Sequence, residues 1–570
     1  MNIKYILFLL LFSLTDFSKA QLKFIVEDFE GYADGSKDLK ENGVFTFGNI
    51  DAVTDSKIHE QNPNKHKDYL GQRALKIEKK GKKDFGGWGK GIGLNIELDP
   101  QKDYLNFFIY IPPANENYGK DLSVIKIELQ EDDNGDNVYQ KEQDDSWTYI
   151  QASAGEQAIG EFSNAYQGNK KWELVSIPLT KFKDANPGGD DIFNINYKQG
   201  KLFSFIISFV CPQGDCKHLK EKQVMFFDFI CFSRGKLVSG LAISEPPSAS
   251  QSDYCNLGAW SKEGNDANFT DIGLVFENNF KPECEKKLGV VHFFQPFATD
   301  GGNKQNHYPS EDRINKVINE GYIPMITLEN HFVNADPNMK QPNLYSIVEG
   351  HFDIFFENWA KQIKQVKGTV LLRILHEFNG NWYPWCISNN DKNPKLLIKA
   401  FQHIHNIFKA KNVTNVKFIW CPNSMSIPQE KWNYIMDAYP GDEFVDYLGI
   451  DVYNGAGEGA VWRSFRKEGI ENYFILTQEI SVKPLFICEV ASRERRSSES
   501  KLSQNKHEWI KQMSETLKSD MSKIRLLTWF NEKETFKINS SSDSKNAYLN
   551  NIMKDDYFKS GTKYVTPLIN

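Results

Sequence analysis

The strongest constraint on the fold is a change of hydrophobic period near residue 253. From there to residue 570, short apolar segments of strand length alternate with amphipathic segments of helix length. Helical patterns include a long one at 394–410 and a shorter one around Trp432. Eight segments have the composition of buried parallel strands, at residues 256–260, 288–294, 322–328, 369–375, 416–420, 445–453, 484–488 and 524–530. Eight strand–helix units predict a TIM barrel over residues 253–570.

A doubly wound open sheet is the competing fold for this segment. Such sheets usually contain fewer strands, and those that bind dinucleotides begin with a glycine-rich turn. The sequence has no such glycine fingerprint after its first strand. The strand count and the missing fingerprint both favour the barrel.

Residues 22–236 have a different character. Short alternating runs such as 105–110, 124–129 and 202–207 are separated by clusters of Gly, Asn and Asp, and no long helical period occurs. This pattern predicts an all-β domain, a jelly roll or β-sandwich. Residues 237–252 end in a polar stretch rich in Pro and Ser, which is typical of a linker. The predicted chain is thus multi-domain, with a β-sandwich followed by a barrel.

The first 20 residues have the features of a secretory signal peptide. Lys4 precedes a continuous apolar run, and Ser18 and Ala20 are small residues at the positions that a signal peptidase prefers. A membrane anchor is the alternative, but the run is shorter than the ~20 residues that span a bilayer. We therefore expect cleavage before Gln21 and a secreted protein that does not bind membranes after cleavage.

Charge and cysteine content agree with an extracellular protein. The net charge of −7 gives no basic field that would attract nucleic acid. Eight cysteines suit an oxidising compartment, and Cys211 with Cys216, and Cys255 with Cys284, are plausible disulfides. Zinc is a weaker interpretation, because no Cys or His pairs recur at zinc-site spacing.

Two glutamates lie where a barrel places its active site. Catalytic residues of TIM barrels follow the carboxyl ends of the strands, and Glu377 and Glu489 follow the fourth and seventh predicted strands. Retaining glycosidases use two carboxyl groups about 5–5.5 Å apart, one as acid/base and one as nucleophile. Either glutamate taken alone is better explained as a solvated loop carboxylate. A metalloprotease helix would need His-Glu-x-x-His, and Gly380 occupies the second His position.

The neighbours of the two glutamates strengthen the catalytic interpretation. Strand alternation predicts that Arg373, Leu375 and Glu377 share one face. It also predicts that Leu485 and Ile487 share the barrel-interior face with Glu489. A charged Arg inside a barrel is expensive unless it pairs with a carboxylate. The pattern therefore points to glycoside hydrolysis.

The segment HEFNGNWYPW at 376–385 resembles the strand-four signature of glycoside hydrolase family 26, a mannanase-rich family of retaining TIM-barrel glycosidases. Further segments resemble the family at 420–423, at 439–453, at 483–489 and at 527–531. The resemblance extends over most of residues 253–557 and implies a TIM barrel with a two-carboxylate double-displacement mechanism.

The resemblance also implies roles for individual residues. Glu377 matches the acid/base and Glu489 the nucleophile, while Tyr453 stands where a Tyr donates a hydrogen bond to the nucleophile. The predicted substrate-binding residues share an aromatic or basic side chain near the ends of predicted strands, and they are His292, Arg373, His376, Trp382, Trp385, Trp420, Tyr453 and Trp529. Core packing is the alternative for each His, Tyr and Trp of this set. Glu329 is a further cleft candidate.

The N-terminal segment is similar to galactose-binding-type jelly rolls, many of which are carbohydrate-binding modules. The similarity lies in short motifs at 26–30, 86–89, 172–179 and 227–230. It implies that Glu30 and Asp228 are candidate ligands of a structural Ca²⁺, and the alternative is a pair of carboxylates at the sheet edge without metal. Glycan binding by this domain and simple packing against the barrel both stay open.

These observations together predict a secreted, endo-acting, retaining β-glycosidase. β-1,4-Mannan is the first-choice substrate because it is commonest in the family, with mixed-linkage β-glucan or β-1,3-xylan close behind. The strand-seven exit after Glu489 is basic and lacks the Gly often found there in mannanases, which weakens the mannan assignment. We expect no catalytic cofactor, a monomer, and a polysaccharide as the only partner. A non-catalytic glycan-recognition protein and a transglycosylase are the alternatives.

Overall fold

The computed structural model describes residues 20–569, except for 33, 38, 56–68, 83–85, 95, 113–122, 151–171, 197–199, 212–216, 218–221, 238–253, 263–270, 300–304, 334–340, 456–459 and 500–504. The predicted signal peptide and nearly all of the predicted linker lie outside these residues. Within the described part, no helix combines the length and apolarity that crossing a membrane requires.

The N-terminal region consists of antiparallel strands in two sheets of six. The strands are β1 (Gln21–Glu27), β2 (Val44–Gly48), β3 (Ile50–Asp55), β4 (Ala74–Lys80), β5 (Gly86–Leu94), β6 (Asp103–Tyr110), β7 (Val124–Asp132), β8 (Ser146–Ile150), β9 (Glu173–Pro178), β10 (Lys183–Asp184), β11 (Lys201–Val210) and β12 (Lys222–Arg234). One sheet has the order β3-β4-β12-β6-β9, with β1 also paired to β12, and the other has the order β10-β8-β7-β11-β5-β2.

One hydrophobic core lies between these two sheets. It combines Phe107 and Phe227 of the first sheet with Trp88, Ile127 and Phe205 of the second, all of them buried. Inward and outward side chains alternate along β7, as the strand period requires. The predicted β-sandwich is therefore confirmed as two antiparallel sheets, and the jelly-roll strand order stays a prediction.

The second region contains eight parallel strands that close on themselves, as the sequence predicted. The strands of this region are β13 (Cys255–Ser261), β14 (Val290–Thr299), β15 (Gln305–Asn306), β16 (Ile323–Val333), β17 (Val370–Ile374), β18 (Val416–Trp420), β19 (Tyr447–Asn454), β20 (Leu485–Ser492), β21 (Ile524–Asn531) and β22 (Phe558–Lys559). The barrel order is β13-β14-β16-β17-β18-β19-β20-β21, and β13 closes it by pairing with both β21 and β14. The short β15 and β22 pair outside this circle.

Helices follow most of the barrel strands. They are α1 (Ile272–Glu277), α2 (Glu311–Asn319), α3 (Leu344–Val348), α4 (Asp353–Ile363), α5 (Pro394–Ala410), α6 (Phe465–Phe474), α7 (Lys506–Lys518), α8 (Lys533–Phe536), α9 (Ser542–Tyr548) and α10 (Thr562–Ile569). The predicted helix around Trp432 is instead two 3₁₀ turns, Lys431–Asn433 and Ile435–Ala438. Pro428 precedes this segment, and its apolar residues follow a helical spacing for only one turn. One turn is too short to propagate an α-helix.

Local sequence explains the best-formed helix. Asn393 caps α5 by accepting a hydrogen bond from the Lys395 backbone, and Pro394 occupies the first helical position, where no backbone N–H is needed. The spacing of the buried residues is the amphipathic period on which the sequence prediction relied. One face of α5 is buried against the barrel at Leu396, Leu397, Ala400, Phe401, Ile404 and Phe408.

The two regions meet through a buried ion cluster. Glu27 at the end of β1 accepts hydrogen bonds from Lys467 of α6 at 2.9 Å and from Lys90 of β5 at 2.6 Å. Burial alone would raise the pKa of Glu27, but the charges of Lys467 and Lys90 lower it below the usual range. Ser464, which caps α6, also donates to Asp28 at 2.6 Å. The sandwich is thus fixed directly to a barrel helix.

Two cysteine predictions have different outcomes. Cys255 and Cys284 are free thiols, so the disulfide predicted between them is wrong. The Sγ atoms of both instead approach backbone carbonyls, those of Asn256 and Met553. Cys216 lies outside the described residues, and its pairing with Cys211 stays a prediction.

The ion cluster yields a stability prediction. We expect Lys467→Met to lower the free energy of unfolding by about 3 kcal/mol, because it leaves the buried Glu27 with one cation instead of two. Chemical denaturation measures this change. Lys80→Met is the matched control, since Lys80 pairs with Asp51 on the exposed surface of the sandwich and should change nothing measurable. Equal effects in both variants would contradict a cluster that joins the two regions.

Candidate active site

Glu377 is placed by an irregular turn rather than by strand alternation. β17 ends at Ile374, and both Leu375 (φ 50°) and Glu377 (φ 51°) adopt the left-handed backbone region. Residues other than Gly adopt this region rarely, and mostly where surrounding contacts hold it. The Glu377 N–H donates to the Cys421 carbonyl at 2.8 Å, which anchors the turn beyond the end of β18. The predicted common face of Arg373, Leu375 and Glu377 is therefore wrong.

Glu489 reaches the site through a β-bulge. The register of β20 shifts after Ile487 against both of its neighbours, β19 and β21. Phe486 and Cys488 belong to the cluster inside the barrel, while Leu485 and Ile487 pack in the layer between strands and helices. The prediction that Leu485 and Ile487 face the interior is thus wrong, because the bulge at Cys488 changes the direction of the side chains that follow.

A buried guanidinium connects the carboxylates of strands β19 and β20. Arg373 is fully buried, and its Nη2 donates to Glu489 Oε1 while its Nη1 donates to Asp451 Oδ1 at 2.7 Å. Its Nε donates to the Thr327 hydroxyl at 2.7 Å. Arg373 therefore positions Glu489 from below, and because no part of it is exposed, it acts through Glu489, while its direct contact with substrate stays a prediction.

The second oxygen of Glu489 is held from another strand. The Tyr453 hydroxyl donates to Glu489 Oε2, as the resemblance implied. Both oxygens of Glu489 are therefore held by hydrogen bonds. The residue is 5% exposed, so a small part of its surface is open to the barrel mouth. Charge-assisted hydrogen bonds of this kind favour the ionised form of a carboxylate. Glu489 thus accepts a hydrogen bond on each of its two oxygens.

Glu377 has the opposite electrostatic environment. Burial and then the negative charge of Glu489 raise the pKa of Glu377 to about 8. The indole N–H of Trp382 donates to Glu377 Oε2 at 2.7 Å and opposes this rise. Of the two neighbouring carboxyl groups, Glu377 is therefore the one that retains a proton at neutral pH.

A third carboxyl group lies near this pair. Burial and then the charge of Glu489 raise the pKa of Glu329 to about 7, while the charge of Arg373 lowers it. Glu329 is in β16, next to the strand that carries Arg373. It is half-buried and so remains a cleft candidate.

The two predicted histidines are buried and neutral. Burial and the charge of Arg373 hold the pKa values of His292 and His376 well below the usual range. His292 is fully buried with its Nε2 2.7 Å from the Thr327 hydroxyl, which favours the core alternative, and its contact with substrate stays a prediction. His376 Nε2 is 3.2 Å from the Tyr383 hydroxyl, and the His376 carbonyl accepts the Trp385 indole N–H at 2.7 Å. His376 is 1% exposed and positions the residues beside Glu377.

One of the four predicted tryptophan platforms is accessible. Trp382 is 43% exposed beside Glu377 and stays a substrate-binding candidate. Trp385, Trp420 and Trp529 are at most 1% exposed, which favours the core-packing alternative, and their contact with substrate stays a prediction. The hydrophobic pattern does not indicate whether each Trp side chain faces the cleft or the core. The buried rings pack on other aromatic rings, Trp385 on Tyr383, Trp420 on Phe378 and Tyr439, and Trp529 on Tyr548.

Sequence analysis missed four residues at the site. Asp451 is the buried partner of Arg373, and its signal was an acidic residue between the apolar Ile450 and Val452 of a predicted strand. Phe530 stacks on Trp260 at 4.8 Å and meets Tyr453 and Phe294 edge-on. This aromatic group adjoins Glu489 through Tyr453, where apolar sugar faces can pack. The sequence did contain a sign of this group, because Trp260, Phe294 and Phe530 are each the last residue of a predicted strand.

The predicted calcium pair has mixed properties. Glu30 and Asp228 are both buried, and burial followed by the charges of Asp28 and Asp228 raises the pKa of Glu30 to about 8. Glu30 Oε1, however, already accepts the backbone N–H groups of Gln72 and Arg73. Among the described residues, the pair belongs to no group of three metal-ligating side chains. The donor set therefore does not fit the six to eight oxygens of Ca²⁺.

Sequence comparison places the barrel among known proteins. The model of glycosyl hydrolase family 26 matches residues 333–469, which contain Glu377 and Tyr453. Endoglucanase H of Acetivibrio thermocellus is 33% identical over 270 residues, 46% of this chain and 27% of that protein. A mannan endo-1,4-beta-mannosidase of Bacillus subtilis is 26% identical over 152 residues, 23% of this chain and 41% of that protein. The chain thus spans less than half of the length of these relatives.

A solved structure also aligns with both regions of the chain. A Podospora anserina GH26-CBM35 beta-(1,4)-mannanase aligns over 93% of this chain and 100% of its own, with 11% identity and a TM-score of 0.40. The barrel region is thus similar to glycosyl hydrolase family 26 through the family match and the curated relatives, each of which covers less than half of this chain.

Proposed function

We propose that this protein is an endo-acting, retaining β-glycosidase in which Glu377 is the acid/base and Glu489 the nucleophile. The observation that supports this most is the difference between two neighbouring carboxyl groups. Glu489 accepts hydrogen bonds from Arg373 and Tyr453, whereas burial and the charge of Glu489 raise the pKa of Glu377 to about 8. Retaining glycosidases need this combination of one ionised and one protonated carboxyl group.

In the first step, Glu377 donates its proton to the glycosidic oxygen while Glu489 attacks the anomeric carbon. The bond between that carbon and the leaving oxygen breaks, and the departing sugar leaves as an alcohol. A new ester bond joins the sugar to Glu489. Trp382 keeps Glu377 in place during proton transfer through its indole hydrogen bond.

In the second step, water enters and Glu377 acts as the base. Esterification removes the negative charge of Glu489, and that charge is one cause of the raised pKa of Glu377. The pKa of Glu377 therefore falls once the intermediate has formed, and the carboxylate takes a proton from water. Water then attacks the anomeric carbon, the ester bond breaks, and both carboxyl groups regain their starting states.

We take β-1,4-mannan as the first-choice substrate. Four of the curated relatives are named mannan endo-1,4-beta-mannosidase. The basic segment after Glu489 bears less on specificity than its sequence suggested, because Arg493 is buried and pairs with Glu499 instead of facing the cleft. Candidate sugar contacts come from Trp382 and from the aromatic group of Phe530, Trp260 and Phe294.

β-Glucan is the second candidate. The relative that matches 46% of this chain is named Endoglucanase H. Mannan and glucan differ in the orientation of one hydroxyl at C2, which lies beside the anomeric carbon and therefore beside Glu489. A substitution close to Glu377 and Glu489, where the C2 hydroxyl lies, would therefore be enough to change the preference from one substrate to the other.

Three further parts of the proposal concern context. We infer secretion from the signal-like residues 1–20, and we propose a monomer that needs no cofactor for the barrel chemistry. A transglycosylase would use the same residues and transfer the sugar to another sugar instead of water. A non-catalytic glycan-recognition protein would have no use for a raised pKa at Glu377.

The proposal predicts which polymer is cut and by which residues. Reducing-sugar release from mannan, mixed-linkage β-glucan and β-1,3-xylan should occur on one polymer with mannan favoured, and product sizes should show internal cleavage. Glu377→Ala and Glu489→Ala should each lower turnover by about 10²–10⁴-fold or more. Glu443→Ala is the control, because this exposed loop carboxylate should leave turnover unchanged.

Two outcomes would contradict the proposal. One is a folded protein that binds a polymer without cleaving any of them, which leaves glycan recognition as the function. The other is cleavage that survives in both alanine variants. Longer oligosaccharide products from short substrates would instead identify a transglycosylase.

The indole hydrogen bond predicts a shift in the pH profile. Because activity requires protonated Glu377, kcat/KM should fall as the pH rises through about 8. Trp382→Phe removes a donor that lowers the pKa of Glu377, so the alkaline limb should move to higher pH while kcat falls. Trp432→Phe removes an indole outside the site and should leave the limb in place. An alkaline limb that stays fixed or moves to lower pH in Trp382→Phe would contradict the assignment of Glu377 as the acid.

A further inference from the structure

A group of carboxylates lies in the N-terminal sandwich, outside the barrel. Glu131 near the end of β7, Asp133 just after it and Asp145 just before β8 bring one oxygen each within 4.8 Å of one another. Asp145 also groups in this way with Asp184 of β10 and with Asp191. The β7–β8 hairpin and its neighbours therefore carry a compact set of oxygen ligands.

The centre of this group is buried, unlike ordinary surface carboxylates. Glu131 and Asp145 are both fully buried. Glu131 Oε2 accepts the indole N–H of Trp147 at 2.9 Å, while Oε1 has no hydrogen-bond partner. Asp133 Oδ1 also lacks one, and the carboxylate of Asp145 has only the nearby backbone N–H groups of Asp190 and Asp191 beside it, outside good hydrogen-bond geometry. Buried oxygens without donors are costly, so their presence needs an explanation.

No cationic side chain among the described residues forms an ion pair with this group. Within the part of the chain that the structure describes, no salt bridge reaches Glu131, Asp133 or Asp145. Three carboxylates so close together repel one another unless a cation lies between them.

An amide oxygen beside the group is a second, independent sign of a ligand. Asn194 is buried, and its Oδ1 has no hydrogen-bond partner. Its backbone N–H lies close enough to Glu131 to lower the pKa of that carboxyl group. Its Nδ2 donates to Asp190 Oδ2 at 2.8 Å, next to Asp191 in the chain. Asn194 thus lies beside Glu131 through its backbone and beside Asp190 through its Nδ2, and its buried Oδ1 is a further oxygen without a donor at this place.

The chemistry of the donors selects the kind of cation. All five grouped side chains are carboxylates, with no Cys or His among them, which disfavours zinc and copper. Ca²⁺ takes six to eight oxygens from carboxylates, amides, carbonyls and water. The carboxylates and the free amide oxygen of Asn194 are donors of this kind, so Ca²⁺ suits the site better than a transition metal.

Two glycines let the backbone close around the carboxylates. A Cβ on Gly189 would lie 1.9 Å from Asp145 Oδ1, and a Cβ on Gly200 would lie 2.1 Å from Glu131 Oε1. Gly189 also has φ 82°, which other residues adopt rarely. The backbone at Gly189 and Gly200 therefore lies directly against Asp145 Oδ1 and Glu131 Oε1, at positions where any larger residue would collide with these oxygens.

We propose that Glu131, Asp133 and Asp145 form a Ca²⁺ site in the N-terminal sandwich, completed by Asp191 and by the amide oxygen of Asn194. This site is separate from the predicted calcium pair near β1 and β12. It accounts for the buried oxygens without donors, for the absence of an ion pair with this group among the described residues, and for the enclosing glycines.

The position of the site suggests what the cation does. Asn137, in the loop between Asp133 and Asp145, accepts a hydrogen bond from Lys201 at 2.8 Å. Lys201 in turn lies 3.8 Å from Glu430, in the segment between β18 and β19 of the barrel. A bound Ca²⁺ would fix both ends of this loop and so hold the sandwich surface that meets the barrel.

Terbium luminescence tests the site in the full chain. Tb³⁺ replaces Ca²⁺ at oxygen sites, and Trp147 is bonded to Glu131, so excited Trp147 should transfer energy to the bound ion. We expect a Tb³⁺ signal that Ca²⁺ displaces and that Trp147→Phe removes. Asp145→Asn and Asp133→Asn should each weaken Ca²⁺ binding about tenfold or more, since the affinity of a Ca²⁺ site follows its ligand charge.

Matched variants separate this site from general charge effects and from the other carboxylate pair. Glu142→Gln removes a charge from the same loop outside the group and should keep normal binding. Ca²⁺ should raise the thermal midpoint of the wild type, of Glu142→Gln and of Glu30→Gln relative to chelator, but not that of Asp145→Asn.

Asp145→Asn relieves repulsion and should fold, and Asp133→Asn, at a half-buried position, provides a second test. The proposal is overturned if Ca²⁺ leaves the wild-type midpoint unchanged. It is also overturned if Asp145→Asn and Asp133→Asn bind like the wild type, or if only Glu30→Gln abolishes binding.

Discussion

The pairing of Arg373 with Glu489 and Asp451 is the interaction on which the barrel mouth depends. A fully buried guanidinium is tolerated only when carboxylates surround it, and here burial would lower its pKa while Asp451 and Glu489 raise it. One positive charge serves two carboxylates, so little of it remains to stabilise a third ionised group. At Glu377, the next carboxyl group, burial and then the charge of Glu489 outweigh the opposing charge of Arg373, and the pKa is raised.

Helix α6 connects the strands of the site to the N-terminal sandwich. Tyr453 and Glu489 lie on β19 and β20, and α6 is the helix between these two strands. Glu27 and Asp28 of the sandwich contact α6 through Lys467 and Ser464. Helix α6 connects the strand of Tyr453 to the strand of Glu489, and it is also the helix that the sandwich contacts. Loss of these contacts should therefore destabilise the sandwich and the barrel together.

Sequence alone located the candidate chemistry but not its geometry. The period change near residue 253 was enough to predict the barrel, and Tyr453 contacts Glu489 as the family resemblance implied. Strand alternation failed at Leu375 and Glu377 because a left-handed turn anchored by Cys421 interrupts it, and at Glu489 because of a bulge. Such features depend on neighbouring strands, which a period along one segment does not contain.

Covalent trapping tests the assignment of Glu489 most directly. A 2-deoxy-2-fluoro glycoside with a reactive leaving group slows the second step more than the first, because fluorine destabilises both transition states while the leaving group speeds only the first. Mass spectrometry of the digested protein should find the sugar attached to the peptide that contains Glu489. Attachment to Glu377 or Glu329 instead, or no attachment in a protein that still cleaves the polymer, would contradict Glu489 as the nucleophile.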